Sequence, residues 1–222
     1  MPHDDTMQTF LDTFKDPETA RRYGDGPQRF VPAIADLHRM TAILLAERAP
    51  EDARVLVLGA GGGLELQALA QAHPGWTFVG VDPAAAMLDE AKRRLGPNAA
   101  RVTFCEGIID DAPEGPFDAA TCLLTLHFLG PAERTRTVRE LRRRLKPGAP
   151  FVAAHSSFPQ DGGARALWMG RHAAFALASG ADPEQVEKMR ATADANVPLL
   201  APEQDEAILR EAGFLDVALF YA

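Results

Sequence analysis

The stretch Val55–Leu69, VLVLGAGGGLELQAL, constrains this chain more than any other. Apolar residues lead into glycines at 59, 61, 62 and 63, and apolar residues at helical spacing follow. That pattern predicts a buried strand, a tight turn and a helix, the opening unit of a parallel βαβ fold. In open sheets of this kind a ligand lies beyond the carboxyl ends of the strands. The dinucleotide fingerprint G-x-G-x-x-G would need a third glycine where this chain has Leu64, and no Gly-Lys-Ser/Thr follows to form a phosphate loop. The turn reads G-x-G-x-G instead, which disfavours a nicotinamide-dependent oxidoreductase.

The rest of the chain keeps the same rhythm. WTFVGVD, RVTFCEG, FDAATCLLTL and APFVAAHSS read as strands. Helices are expected from Pro32 to Arg48, from Leu64 to Ala72, from Pro83 to the stop at Gly96, and from Pro131 to the stop at Lys146-Pro147-Gly148. In the first of these, Ile34, Leu37, Met40, Ile43 and Leu44 form the expected apolar face. Such alternation predicts an α/β fold with a doubly wound, mostly parallel sheet. One or two short helices are expected over residues 4–22. Two more, over about 161–195, break the rhythm before a final helix and a sixth strand, LDVALFYA. The whole chain, 1–222, then reads as one domain. Residues 1–50 form a helical cover and residues 158–200 a helical insert or lid.

Charge narrows the function classes. The net charge of -8 and a pI near 5.2 disfavour nucleic acid and anionic lipid as partners. The Arg142-Arg143-Arg144 run reads as a solvated helix face. No stretch approaches the roughly 18 apolar residues of a membrane span, and the N-terminus has no signal-peptide core, so a cytoplasmic location is expected. Cys105 and Cys122 have no metal-ligand spacing and read as a reduced pair, with no metal site.

A second signal is Asp82, ending the strand in GVDP about 20 residues after the turn, where a carboxylate can accept both hydroxyls of a ribose. With VLVLGAGGG, GVDPAAAMLDEAKRRL, VTFCEGIIDDAPEGPFDAATCLLTLHFL and LRRRLKPGAPFVAAHSS, the chain from about Val31 to Tyr221 resembles the class I S-adenosylmethionine-dependent methyltransferases. Within them, LTLHFL and VPAIADLHRM look most like the group that includes carboxy-S-adenosylmethionine synthase. The resemblance implies S-adenosylmethionine as cofactor and a small-molecule acceptor. It places Gly59, Ala60, Gly61 and Gly63 against the methionine and ribose, and Asp82 on the ribose hydroxyls. Pro83 and Met87 would pack beside the adenine, Ile108 and Ile109 would form its other wall, and Leu123 and Leu124 would close the floor.

Three departures stand out. Val57 occupies the position of the usual first-strand acid, so the group that orients the methionine ammonium must come from elsewhere. Ile108 replaces an acid near the adenine amino group, leaving Asp110 or Asp111 as substitutes. The family's closing antiparallel hairpin is cut to one strand, an apolar edge through which a homodimer would form, unless the natural chain continues past Ala222.

Methyl transfer from a sulfonium needs positioning above all, and a base only where the acceptor holds a proton of high pKa. His127, on the rim after the fourth strand, is the candidate catalytic base. His155, His172 and His38 are weaker candidates, and Tyr23 and Arg29 belong to the cover. Arg190 is the candidate for an extra carboxylate under the carboxy-S-adenosylmethionine synthase-like alternative, although Leu123 stands where that group has asparagine. A catalytically silent cofactor-binding or regulatory protein is the other alternative.

Overall fold

The computed structural model describes residues 26–222. The helices expected over residues 4–22, and Tyr23, lie outside the described residues. Five strands, β1 (Arg54–Leu58), β2 (Thr77–Asp82), β3 (Val102–Glu106), β4 (Ala119–Leu123) and β5 (Phe151–Ala154), form one parallel sheet in the order β3-β2-β1-β4-β5. The order reverses between β1 and β4. Helices α1 (Gly26–Phe30), α2 (Ile34–Ala46), α3 (Leu64–Ala72), α4 (Ala85–Leu95), α5 (Pro131–Arg144), α6 (Ala164–Ala178), α7 (Pro183–Asn196) and α8 (Pro202–Glu211) follow in chain order. The two helices expected in the insert are α6 and α7.

Strand β1 shows why its sequence is apolar throughout. Val55 and Val57 pack with Leu37 and Leu45 of α2 and with Leu66 and Leu69 of α3. Leu56 and Leu58 point the other way, into Val138 and Leu141 of α5 and Ile208 of α8. A strand buried on both faces has no solvent side to carry polar residues. Each such side chain contributes about 1.5–3 kcal/mol by leaving water.

Three expectations need correction. The buried face of α2 runs through Ile34, Leu37, His38, Thr41, Ala42 and Leu45, while Ile43 is 57% exposed. Thr41 and Ala42 stand on the inward face with fully buried Leu37 and Leu45, and Met40 and Leu44 lie at its margin. The arginine run is solvated only in part: Arg143 is exposed and pairs with Glu114 and Glu140, Arg142 lies over the Phe214 ring, but Arg144 is buried and bonds the Glu140 carboxylate. No sixth strand forms. Asp216 takes a left-handed φ of 54° that breaks the extended run, leaving Leu215 and Leu219 exposed. Phe220 and Tyr221 dock on the core instead, and the Tyr221 hydroxyl donates to the Pro32 carbonyl. The edge expected to pair in a homodimer therefore has no strand behind it.

A buried ion pair locks the β5 side of the sheet. Arg134, 1% exposed, donates from Nη1 to Asp205 Oδ1 at 2.5 Å and from Nη2 to the carbonyls of Leu129 and Pro198. The other Asp205 oxygen accepts from Ser157 Oγ at 2.7 Å and lies 3.0 Å from His155 Nε2. Burial alone would raise the Asp205 pKa, yet these partners together hold it below the usual carboxylate range. The cluster joins α5, the exit of β5 and α8 through one carboxylate. Asp205→Ala would leave Arg134 buried and unpaired and should cost about 3–5 kcal/mol. Urea unfolding measures this, and a loss below about 1 kcal/mol would show that the cluster does not hold the edge.

Candidate functional site

The turn after β1 is tied to the end of β2 before any ligand is considered. The amides of Gly59 and Ala60 both donate to the Val81 carbonyl, at 2.8 and 2.9 Å. The Gly61 amide donates to Asp82 Oδ2 at 2.8 Å, and the Ala84 amide to Oδ1 at 3.0 Å. Each carboxylate oxygen thus holds one amide and keeps lone-pair capacity for a second donor. Burial raises the Asp82 pKa and the two amides oppose the rise.

The glycines divide into two kinds. At Gly59 a Cβ would stand 1.9 Å from the Thr125 hydroxyl oxygen, and at Gly63 it would stand 2.8 Å from Ala91 Cα in α4. Those two are glycine because protein already fills the space. At Gly61, with φ of +46°, a Cβ would meet nothing nearer than Met87 Cε at 3.6 Å. A side chain there would make only ordinary contact, so the positive φ rather than lack of space favours glycine.

A cavity opens at this turn, at the reversal of strand order where doubly wound sheets bind ligands. Gly59 to Glu65, Leu123 and Leu124 line it, and Pro27, Ile34 and His38 close it from the N-terminal side. Leu124 takes a left-handed φ of 56° and donates its amide to the Ala154 carbonyl at 2.6 Å, which turns the chain away from the cavity floor. A larger hollow between α2 and α3 lies toward the C-terminal end of α3 and includes none of the turn glycines.

The structure brings Gly59, Ala60, Gly61, Gly63 and Leu123 together on this cavity, with Asp82 bonded to its turn and Met87 beside Gly61. Pro83, Ile108 and Ile109 stand just past β2 and β3. Ile108 is half exposed, while Ile109 is buried in the core of the opposite face. Asp110 is held by Arg136, and Asp111 accepts from the Ile108 amide.

Two histidines, His127 and His155, stand just past the ends of β4 and β5. His127 lies in the short turn Leu126–Phe128 and is buried. Its Nδ1 accepts from the Ser156 amide at 3.2 Å, which puts the proton of the neutral ring on Nε2. Burial, reinforced by His155 and Arg134, pushes its pKa down to about 3. His155 shows the opposite pattern: Nε2 faces Asp205, and Nδ1 is buried without a hydrogen-bond partner. His172 Nε2 lies 2.8 Å from the Phe30 carbonyl and ties α6 to α1. His38 lines the cavity with its pKa lowered by burial. Arg190 pairs with Glu187 on an exposed turn of α7, and Arg29 is exposed on α1.

Sequence reasoning passed over two residues. Asp205 shares the buried face of α8 with Ile208, an i, i+3 spacing that could have marked it. Glu65, in the first turn of α3, is 6% exposed and its Oε1 has no hydrogen bond. Its position between Leu64 and Leu66, in a helix start that must face the sheet, was the available signal.

Comparison with known proteins agrees with this geometry. Residues 55–148 match the family described as Methyltransferase domain. A carboxy-S-adenosyl-L-methionine synthase from Klebsiella pneumoniae (strain 342) is 25% identical over all of this chain and 93% of its own length. The Campylobacter lari enzyme of the same name is 27% identical over 66% of this chain, which spans 62% of it. Among solved structures, an amino pentose methyltransferase from Micromonospora echinaspora with S-adenosylmethionine bound shares 30% identity and a TM-score of 0.53, over 62% of this chain and 57% of that one. The residues at the turn suit such a cofactor: a glycine of positive φ at 61, a carboxylate with free lone pairs at 82, and a buried carboxylate oxygen at 65 without a partner. Residues 55–148 thus carry a methyltransferase domain, and over its length the chain is similar to S-adenosylmethionine-dependent methyltransferases of class I fold.

Proposed function

We propose that this protein works in the cytoplasm and transfers the cofactor's methyl group to a small molecule whose accepting atom carries a proton. The observation that carries this reading is the cavity at the glycine turn, with the histidine cluster beyond the ends of β4 and β5. The cofactor supplies an electrophilic methyl on a sulfonium, already a good leaving group.

The chain's own residues position and deprotonate. Asp82, fixed by the amides of Gly61 and Ala84, accepts the ribose hydroxyls. Gly61 lets the backbone lie against the ligand. Gly59, Ala60 and Gly63 shape the turn, Leu123 and Leu124 close its floor, and Met87, Pro83 and half-exposed Ile108 flank the adenine, whereas Ile109, expected there, is buried in the core of the opposite face and takes no part. On the acceptor side, His127 stays neutral at working pH because of its depressed pKa, and its Nε2–H is a donor that orients the acceptor. The base is His155, whose Nε2–H is held by Asp205 so that Nδ1 presents its lone pair. The insert of α6 and α7 and helix α1, joined through His172, cover the acceptor.

A second reading, a carboxy-S-adenosylmethionine synthase-like transferase, is favoured by relatives of that name that span nearly their whole length with this chain. Its candidate Arg190 is occupied by Glu187 on an exposed surface, which favours the first reading.

Two measurements test the proposal. Asp82→Ala should weaken binding of S-adenosylhomocysteine on the order of 10- to 100-fold, because charge-assisted hydrogen bonds to the ribose are lost. Calorimetry showing undiminished affinity would move the cofactor elsewhere. Once an acceptor is found by methyl-transfer screening, His155→Ala should lower kcat by roughly 10²–10⁴-fold with cofactor affinity unchanged. His127→Ala should cost less, about tenfold, and the reverse ranking would make His127 the base.

A further inference from the structure

The first strand carries Val57 where the resemblance expects an acid. Val57 pairs with Thr121 of β4, and both point to the sheet face that α3 covers, as Ala119 and Leu123 do on either side of Thr121. Onto this face α3 projects Glu65, which is 6% exposed, lines the turn cavity, and has an Oε1 without a hydrogen bond. The Thr121 hydroxyl faces the carboxyl and favours its ionised form, but it stands outside hydrogen-bond geometry and leaves Oε1 unsatisfied. Such a group is costly to bury and is retained only where something else satisfies it.

The other groups around Glu65 do not. The Cys122 thiol on β4 is kept protonated by burial, and His38, across the cavity on α2, is kept neutral by burial. Pro27, Ile34, Leu123 and Leu124 are apolar. Without a countercharge, burial raises the Glu65 carboxyl to about pH 8, so the free protein holds it neutral at pH 7. A cavity with one buried carboxyl and apolar walls suits a single cationic group entering from the turn.

We propose that Glu65 receives the α-ammonium of the cofactor's methionine moiety, supplying from helix α3 the carboxylate that β1 lacks at Val57. This rests on the reading of the cavity as the S-adenosylmethionine site. Binding then converts a neutral carboxylic acid and an ammonium into an ion pair, and the acid's proton leaves to solvent. Analogues that keep the adenosine but lack the amino acid do not draw out that proton.

The test is calorimetry with S-adenosylhomocysteine and 5′-methylthioadenosine, at pH 7 in buffers of different ionisation enthalpy. Wild type should release about one proton on binding S-adenosylhomocysteine and none on binding methylthioadenosine. Glu65→Gln should weaken S-adenosylhomocysteine on the order of 10- to 100-fold and abolish the release. Methylthioadenosine affinity should stay within about twofold, which also shows that the variant is folded. Equal proton release for both ligands in wild type would overturn the assignment, as would equal losses for both, or no loss, in the variant. If wild type binds neither ligand, the cofactor reading itself fails and this assignment falls with it.

Discussion

The carboxylate of Asp82 is the point on which this architecture turns. It ends β2, takes the Gly61 amide on one oxygen and the Ala84 amide on the other, and so fixes the glycine turn and the start of α4 against each other. With the Val81 carbonyl holding Gly59 and Ala60, the crevice is set by hydrogen bonds between neighbouring strands rather than by loop packing. A site assembled this way costs little reorganisation when a ligand arrives, because the amides and carboxylate already stand where they are needed. Gly63 adds the close approach of α3 and α4 behind the turn, since any side chain there would strike Ala91.

Two other buried carboxylates show how the same element type can serve opposite ends. Asp205 meets Arg134, Ser157 and His155 and is fully engaged, so it holds the β5 edge together. Glu65 sits as deep but leaves an oxygen without a partner. In a low-dielectric interior a satisfied polar cluster rigidifies, while an unsatisfied group marks a place where the protein is incomplete by itself. The contrast between these two carboxylates separates scaffold from site more sharply than exposure does, since both are nearly buried.

The sheet and its helices were legible because the constraint is local. A strand buried on both faces is apolar, a proline opens a helix and a glycine closes it, and α3 runs over the residues its pattern indicates, Leu64–Ala72. The turn and Asp82 were legible for the same reason, since glycine and a strand-end acid at fixed spacing have few other uses. What stayed hidden depends on pairings far apart in the chain. His155 with Asp205, and Arg134 with Asp205, are joined by the packing of α8 against α5, which no window of sequence displays. The depression of the His127 pKa follows from burial, reinforced by His155 and Arg134. The final segment misled because its apolar residues suit a strand, while a left-handed Asp216 and the docking of Phe220 and Tyr221 onto the core decide otherwise. Helix α2 misled because Thr41 and Ala42 join Leu37 and Leu45 on the inward face while Ile43 faces out.

Moving an acid from the strand to the helix has a physical consequence for the site. At position 57 a carboxylate would stand within the core cluster beside Leu66, Leu69 and Val152, with the strand's own dipoles largely cancelled by its neighbours. In the first turn of α3, Glu65 instead lies at the positive end of a helix, where a negative charge is favoured by up to about 2 kcal/mol in partly buried geometry. That field does not suffice to ionise the acid alone, since burial still raises its pKa. It lowers the cost of ionisation once a cation enters. Under the proposed assignment the crevice is neutral when empty and charged when filled, so the ligand's amino end would meet a partner only when the rest of the ligand is seated against the turn.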